Sequence, residues 1–204
     1  MGKGGAELNG FEKRSAEKRQ AVLAAAFEIM NSPEGSKALT IDKVTAATKI
    51  SKATIFKYFH SKDKLLQAVF KNFLTEMAKE AESVLQERKS FTDIFSALTQ
   101  LKINRLDQVS QQFYLDLMGC YSQTEDKELA AFMTSYTRRS NETLFTLFQQ
   151  GRKEGAIDPK YTDEFLFIYT ESMVAGIAEP AIYSRALPYI EEWSEVLLKG
   201  LAPR

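Results

Sequence analysis

The sequence predicts an all-α protein, and three observations carry that prediction. Apolar residues recur three and four positions apart through nearly all of the chain, the spacing that lines one face of a helix. Apolar and polar residues nowhere alternate over the length of a strand, and no repeat of fixed period or low-complexity tract intervenes. The breaks fall where proline, glycine and serine cluster. A chain of 204 residues is long enough to bury a core without covalent staples.

The elements follow in order. Val22, Leu23, Ala26, Phe27 and Met30 share a face, so a first helix runs from about Ser15 to Met30. Asn31-Ser32-Pro33-Glu34-Gly35 ends it, because Pro33 cannot extend the hydrogen-bond ladder and Gly35 accepts a left-handed conformation. Thr40 is placed to cap a short second helix that turns Ile41 and Val44 inward, with Asp42 at its electropositive first turn. After a turn at Lys49-Ile50, Ser51 caps a third short helix that reaches Phe59. His60-Ser61 breaks this one, and Ser61 opens a fourth whose Leu66, Val69, Phe70, Phe73, Met77 and Ala81 keep one apolar face. Further helices are expected at about 91–104, 107–121, 126–152, 162–179 and 187–201. Their breaks include Lys89-Ser90, Ser122-Gln123-Thr124, Gly155-Ala156-Ile157-Asp158-Pro159 and Glu179-Pro180. Residues 1–10 hold four glycines and read as a disordered tail.

Composition narrows the chemistry. A single cysteine, Cys120, rules out an intramolecular disulfide and a cysteine-rich zinc site, and the single histidine, His60, rules out any site that needs two. No metal and no cofactor is expected. Neither a transmembrane run nor a signal peptide is legible, so the expected location is the cytoplasm, away from membranes. The formal net charge is zero. That zero conceals a division: residues 1–72 hold 13 Lys and Arg against 7 Asp and Glu, a net of +6, whereas residues 73–204 hold 14 against 20, a net of −6. Aromatic residues divide the other way, 6 before position 73 and 17 from it onward. A small basic module joined to a larger acidic, aromatic-rich one favours a polyanion as partner of the first.

Thr40 to Leu66, TIDKVTAATKISKATIFKYFHSKDKLL, concentrates the signal. Two short capped helices joined by a tight turn, behind a longer supporting helix, make a helix-turn-helix. Its second helix must present its N-terminus to phosphate or base edges, keep an apolar inner face and carry a polar, basic outer one. Ile55 and Phe59 supply the inner face; Ser51, Lys52, Thr54, Lys57 and Tyr58 supply the outer one, and Lys62 adds a cation beside it. Catalysis finds no such support. Ser-His-Asp or Cys-His chemistry would have to use His60, inside this module, and no glycine-rich phosphate loop follows a strand. The chain is not expected to be an enzyme.

Ser51-Lys52-Ala53-Thr54-Ile55-Phe56-Lys57-Tyr58-Phe59, then Ser61-Lys62-Asp63 and Leu65-Leu66, resembles the DNA-binding signature of the tetracycline-repressor (TetR) family. The resemblance covers about residues 12–70, and a Gly155-x-Ile157-Asp158 break near the end adds to it. Beyond the glycine-rich tail at 1–10, it implies a helix-turn-helix DNA-binding domain at 11–62 and an effector-binding and dimerisation domain at 63–204. It implies a homodimer, and operator contacts at Thr40, Ser51, Lys52, Thr54, Lys57, Tyr58 and Lys62. Two residues depart from the pattern. Phe56 stands where tyrosine is usual and lacks a phosphate-directed hydroxyl. Lys49 stands where glycine is usual, and a left-handed conformation there costs about 1 kcal/mol.

In a family built around a cavity, Phe113, Tyr114, Met118, Tyr121, Phe145, Phe148, Tyr169 and Met173 become the candidates for lining an apolar effector pocket, against core packing as the alternative. Tyr169, Met173, Gly176 and Ile177, with Trp193, Leu197 and Leu198, suit either helix-on-helix dimer contacts or the core. The expected function is a ligand-responsive transcriptional regulator, by default a repressor released from a palindromic DNA operator by a small apolar or aromatic effector. The alternative is a helical small-molecule-binding or scaffold protein without sequence-specific DNA binding.

Overall fold

The computed structural model describes residues 10–87, 89–123 and 125–203, with side chains for all of these except 121–123, 174, 177, 178, 180, 183, 184, 187 and 190. The described residues form ten α-helices and two short 3₁₀ turns, with no strand among them. The chain divides into two compact units, Met1–Leu74 and Thr75–Arg204. Phe73 and Leu74 carry no charge, so this boundary also separates the net +6 from the net −6.

The first unit opens with α1 (Gly10–Met30), which starts five residues before the expected Ser15 and takes Gly10 out of the expected tail. The rest of that tail, residues 1–9, lies outside the described residues. The early start has a simple cause. Residues 10–21 are exposed apart from Ser15, so they show no apolar period, and the buried stripe begins only at Val22 and continues through Leu23, Ala26 and Met30. Gly35 takes φ 60° and opens a 3₁₀ turn, Gly35–Ala38. Then come α2 (Ile41–Thr48), α3 (Lys52–Phe59) and α4 (Lys62–Leu85), whose last residues belong to the second unit. Helix α1 packs on both α2 and α3. Val44 of α2, Ile55 and Phe59 of α3, and Leu65, Val69 and Phe70 of α4 are buried with its stripe, while Phe27 stacks on Phe73 with ring centroids 6.2 Å apart.

Two non-glycine residues with positive φ bracket α3. Lys49 sits at φ 59°, ψ 16°, its N–H donating to Thr45 O at 2.9 Å, and so forms the left-handed end of α2. His60 sits at φ 65°, ψ −41°, and the Ser61 N–H donates to Phe59 O at 2.7 Å across it. That bond closes a three-residue γ-turn of the strained hand. Each such residue costs about 1–3 kcal/mol. Lys49→Gly is therefore expected to stabilise the fold by up to about 1 kcal/mol, raising Tm by about 2–4 °C. A thermal melt with Tm unchanged or lowered would show that the lysine is not strained.

The second unit contains α5 (Phe91–Asp107), α6 (Gln111–Gln123), α7 (Lys127–Lys153), α8 (Asp163–Ala178), α9 (Pro180–Ala186) and α10 (Ile190–Leu201). Side-chain oxygens of Ser90, Ser110, Asp126 and Thr162 accept the N–H of Asp93, Phe113, Leu129 and Phe165, capping α5, α6, α7 and α8. The short α9 was not expected. Pro180 reads as a breaker, yet a proline is favourable as the first residue of a helix, where its missing N–H would have no partner anyway. The core gathers Phe91, Ile94, Leu147, Phe148, Ile157, Leu166 and Leu201.

The end of α7 explains the Gly-Ala-Ile-Asp break. Gly155 takes φ 73° and donates to Arg152 O at 3.1 Å, while Ala156 donates to Gly151 O at 2.8 Å. Together these are a Schellman closure. It drives Ile157 back onto Gly151, and Ile157 is fully buried. The next residue, Asp158, donates its N–H to Leu201 O at 2.8 Å, which ties this loop to the end of α10.

Candidate nucleic-acid interface

The basic face is built by caps and by one buried pair. Thr40 Oγ1 accepts the Lys43 N–H at 3.2 Å and starts α2. Ser51 Oγ accepts the Thr54 N–H at 3.3 Å and shares a 2.9 Å hydrogen bond with the Thr54 hydroxyl. Burial of Ile55 and Phe59 fixes the rotation of α3, and the remaining positions must then face outward. Ser51, Lys52, Lys57 and Lys62 are exposed, as is Thr40, while Thr54 and Tyr58 are half-buried. Phe56 is 42% exposed on the same short helix. Lys52 forms an ion pair with Asp42, joining α3 to α2, and no ion pair to a described residue holds Lys57 or Lys62. The surface thus offers hydroxyls and free ammonium groups around the start and outer side of one helix, a donor set suited to phosphate oxygens and base edges.

The aromatic candidates of the second unit separate by burial. Phe113 and Phe148 are packed at 0% and 2% exposure, Phe148 inside the core cluster. Tyr114, Met118 and Met173 are half-buried, and burial pushes the Tyr114 phenol pKa up. Phe145 and Tyr169 are exposed, and the Tyr121 side chain lies outside the described residues. An open groove of about 1120 Å³ follows one face of α7 from Ala130 to Thr146, with Phe167 of α8 also lining it. Of the sequence candidates among the described residues, Phe145 alone lines it. Exposed apolar side chains also gather on α8 and α10: Phe165, Ile168 and Tyr169 on one, Trp193 and Val196 on the other. Leu197 and Leu198 pack against the core instead, Met173 and Gly176 are half-buried, and the Ile177 side chain is outside the described residues.

Residues 22–69, from the buried stripe of α1 to the middle of α4, match the family model of the bacterial regulatory proteins of the tetR family. This module is that of the TetR family. Its members are transcriptional regulators. The chain is 24% identical over 128 residues to the HTH-type transcriptional regulator BetI of Rhizobium meliloti (strain 1021), a match spanning 62% of this chain and 62% of that relative. It is 25% identical over 154 residues to the HTH-type transcriptional regulator YvaF of Bacillus subtilis (strain 168), 74% of this chain and 77% of that one. The likeness of fold extends further than these alignments. A TetR-family transcriptional regulator from Agrobacterium tumefaciens superposes with a TM-score of 0.72 over 93% of this chain and all of its own, at 12% identity.

Three residues on the basic face escaped the sequence reading. Asp42 was assigned only to the dipole of α2, and its pairing with Lys52 depends on how two helices meet. Ser15 donates to the Tyr58 hydroxyl at 3.3 Å across 43 residues of sequence, and the Arg19 guanidinium lies 5.2 Å from the centre of the Phe59 ring. Position 15, four before Arg19 and seven before Val22, was the available clue, since it falls on the packed stripe of α1. Among the described residues no helix is long and apolar enough to cross a membrane.

Proposed function

We propose that this chain is a ligand-responsive, DNA-binding regulator, by default a repressor. The outward face of α3 carries that reading: free Lys57 and Lys62 beside hydroxyl donors, on a unit of net charge +6. Two copies of α3 in a dimer would enter successive major grooves about 34–36 Å apart on a pseudo-palindromic operator. Thr40, Ser51, Lys52, Thr54, Lys57, Tyr58 and Lys62 would make the contacts, with Lys52 giving up Asp42 for a phosphate. The domain roles follow the charge division, the basic N-terminal unit reading DNA and the acidic unit sensing and dimerising.

The dimer reading draws support from α8, DEFLFIYTESMVAGIA. A helix apolar on nearly every side needs cover on every side, yet one chain leaves Phe165, Ile168 and Tyr169 exposed. A second copy supplies that cover. The effector is proposed as a small molecule with an apolar or aromatic body, and the groove walls of Met133, Phe145 and Phe167 favour such a body. It acts as an inducer only through a difference in affinity between the DNA-bound and released conformations.

The experiment is a gel shift with DNA from upstream of the chain's own gene, over a series of salt concentrations with non-specific competitor. Specific retention is expected. Lys57→Ala should weaken it and lower the slope of log K against log salt by about one unit. An unchanged slope would remove Lys57 from the phosphate contacts, and no specific retention by the wild type would favour the scaffold reading.

A further inference from the structure

We propose that Ser15 is a positioning residue for DNA reading: it holds the Tyr58 hydroxyl in the direction from which that hydroxyl donates to the operator. This rests on the proposed contact between Tyr58 and DNA. The observation behind it is the anomaly at the start of α1. Twelve residues, 10–21, form three helical turns in which every residue but Ser15 is exposed. These turns bury no apolar side chain of their own, and two side-chain contacts tie them to α3. Ser15 Oγ donates to the Tyr58 oxygen at 3.3 Å, and one turn later the Arg19 guanidinium covers the Phe59 ring at 5.2 Å. Both contacts land on the C-terminal half of α3, one on its outward tyrosine and one on its buried phenylalanine.

The direction of the bond matters. Because Ser15 donates, the Tyr58 oxygen acts as acceptor and its own hydrogen stays available for a phosphate oxygen or a base acceptor. A hydroxyl that accepts one hydrogen bond is also polarised to donate a stronger second one. The Tyr58 ring stands edge-on to Phe59, centroids 6.4 Å apart at 84°, so its hydroxyl is fixed at one end by a ring contact and at the other by Ser15. Without Ser15 the phenol is free to turn toward solvent, and that freedom is lost again whenever DNA binds. Ser15 itself need not touch the duplex.

The test measures binding to the duplex that the wild-type chain selects from a random-sequence pool, at one fixed salt concentration and across a salt series. Ser15→Ala should lower specific affinity about three- to tenfold, the worth of one hydrogen bond. The salt slope should stay unchanged, since no cation is removed, and Ser15→Thr should restore binding. In a Tyr58→Phe background, Ser15→Ala should have no further effect. If Tyr58→Phe weakens binding but Ser15→Ala does not, or if Ser15→Ala costs the same in both backgrounds, the positioning role is overturned and the Tyr58 contact stands. If Tyr58→Phe leaves binding unchanged, the contact itself fails and the inference with it. A Ser15→Ala chain that loses binding with a lowered Tm, and is not rescued by Ser15→Thr, would overturn the role in favour of simple support of α1.

Discussion

Ile168→Glu should convert the protein from dimer to monomer and abolish operator binding. Ile168 is 56% exposed at the centre of the apolar face of α8, flanked by Phe165 at 44% and Tyr169 at 37%. In a two-fold interface each substitution places two carboxylates in the same contact, and each loses several kcal/mol of hydration with no cation to meet it. About 4 kcal/mol is a thousandfold in Kd, enough to leave monomers at micromolar concentration. The monomer should still fold, because Ile168 is not among the core residues of its own unit. Sedimentation at micromolar concentration reads the outcome directly. A dimer that survives Ile168→Glu would move the interface away from α8, and a wild type that sediments only at 23.1 kDa would end the two-half-site mechanism.

Gly151 gives the largest expected effect on stability, and two principles disagree about its sign. As a helix-interior glycine it should gain about 1 kcal/mol on conversion to alanine. Yet a Cβ at position 151 would come within 2.8 Å of Ile157 Cδ1, 2.9 Å of Ile157 Cγ1 and 2.9 Å of Phe91 Cδ2. Ile157 and Phe91 are both fully buried, so neither can swing aside without moving the core. Overpacking of this kind costs about 1–3 kcal/mol, and the branched Gly151→Val more. Packing should win, and Gly151→Ala should melt several degrees below the wild type. Gly119→Ala, with nothing within 4 Å of the added Cβ on α6, is the control and should be neutral or stabilising. A Gly151→Ala chain that melts at or above the wild type would mean that the closure of α7 tolerates displacement of Ile157.

Much of the fold is legible in the sequence because local chemistry sets it. Thr40, Ser51 and Ser61 act as caps where their spacing from the next apolar face places them, and the Lys49 and His60 breaks delimit α3. What escapes the sequence is decided by tertiary partners. The opening turns of α1 have no apolar period to betray them, and their contact with Tyr58 exists only because α1 lies against α3. Pro180 begins a helix instead of preventing one, since position within the helix and not residue type decides its effect. Aromatic residues cannot be sorted into core and cavity by type alone, because both environments reward the same apolar area. Phe113 and Phe148 fill the core, whereas the groove on α7 mixes Met133, Phe145 and Phe167 with threonines, Asn141 and Arg138, and an apolar criterion passes over the polar half.

The two left-handed residues around α3 have a consequence beyond their strain. Glycine at 49 and 60 would relieve it, but would also let the backbone sample conformations that a Cβ forbids. With lysine and histidine there, the eight-residue helix is held between two stiff joints. The free protein then wanders over fewer orientations of α3, and less disorder must be frozen out when a duplex arrives. Some folding stability is exchanged for rigidity in the segment proposed to read DNA.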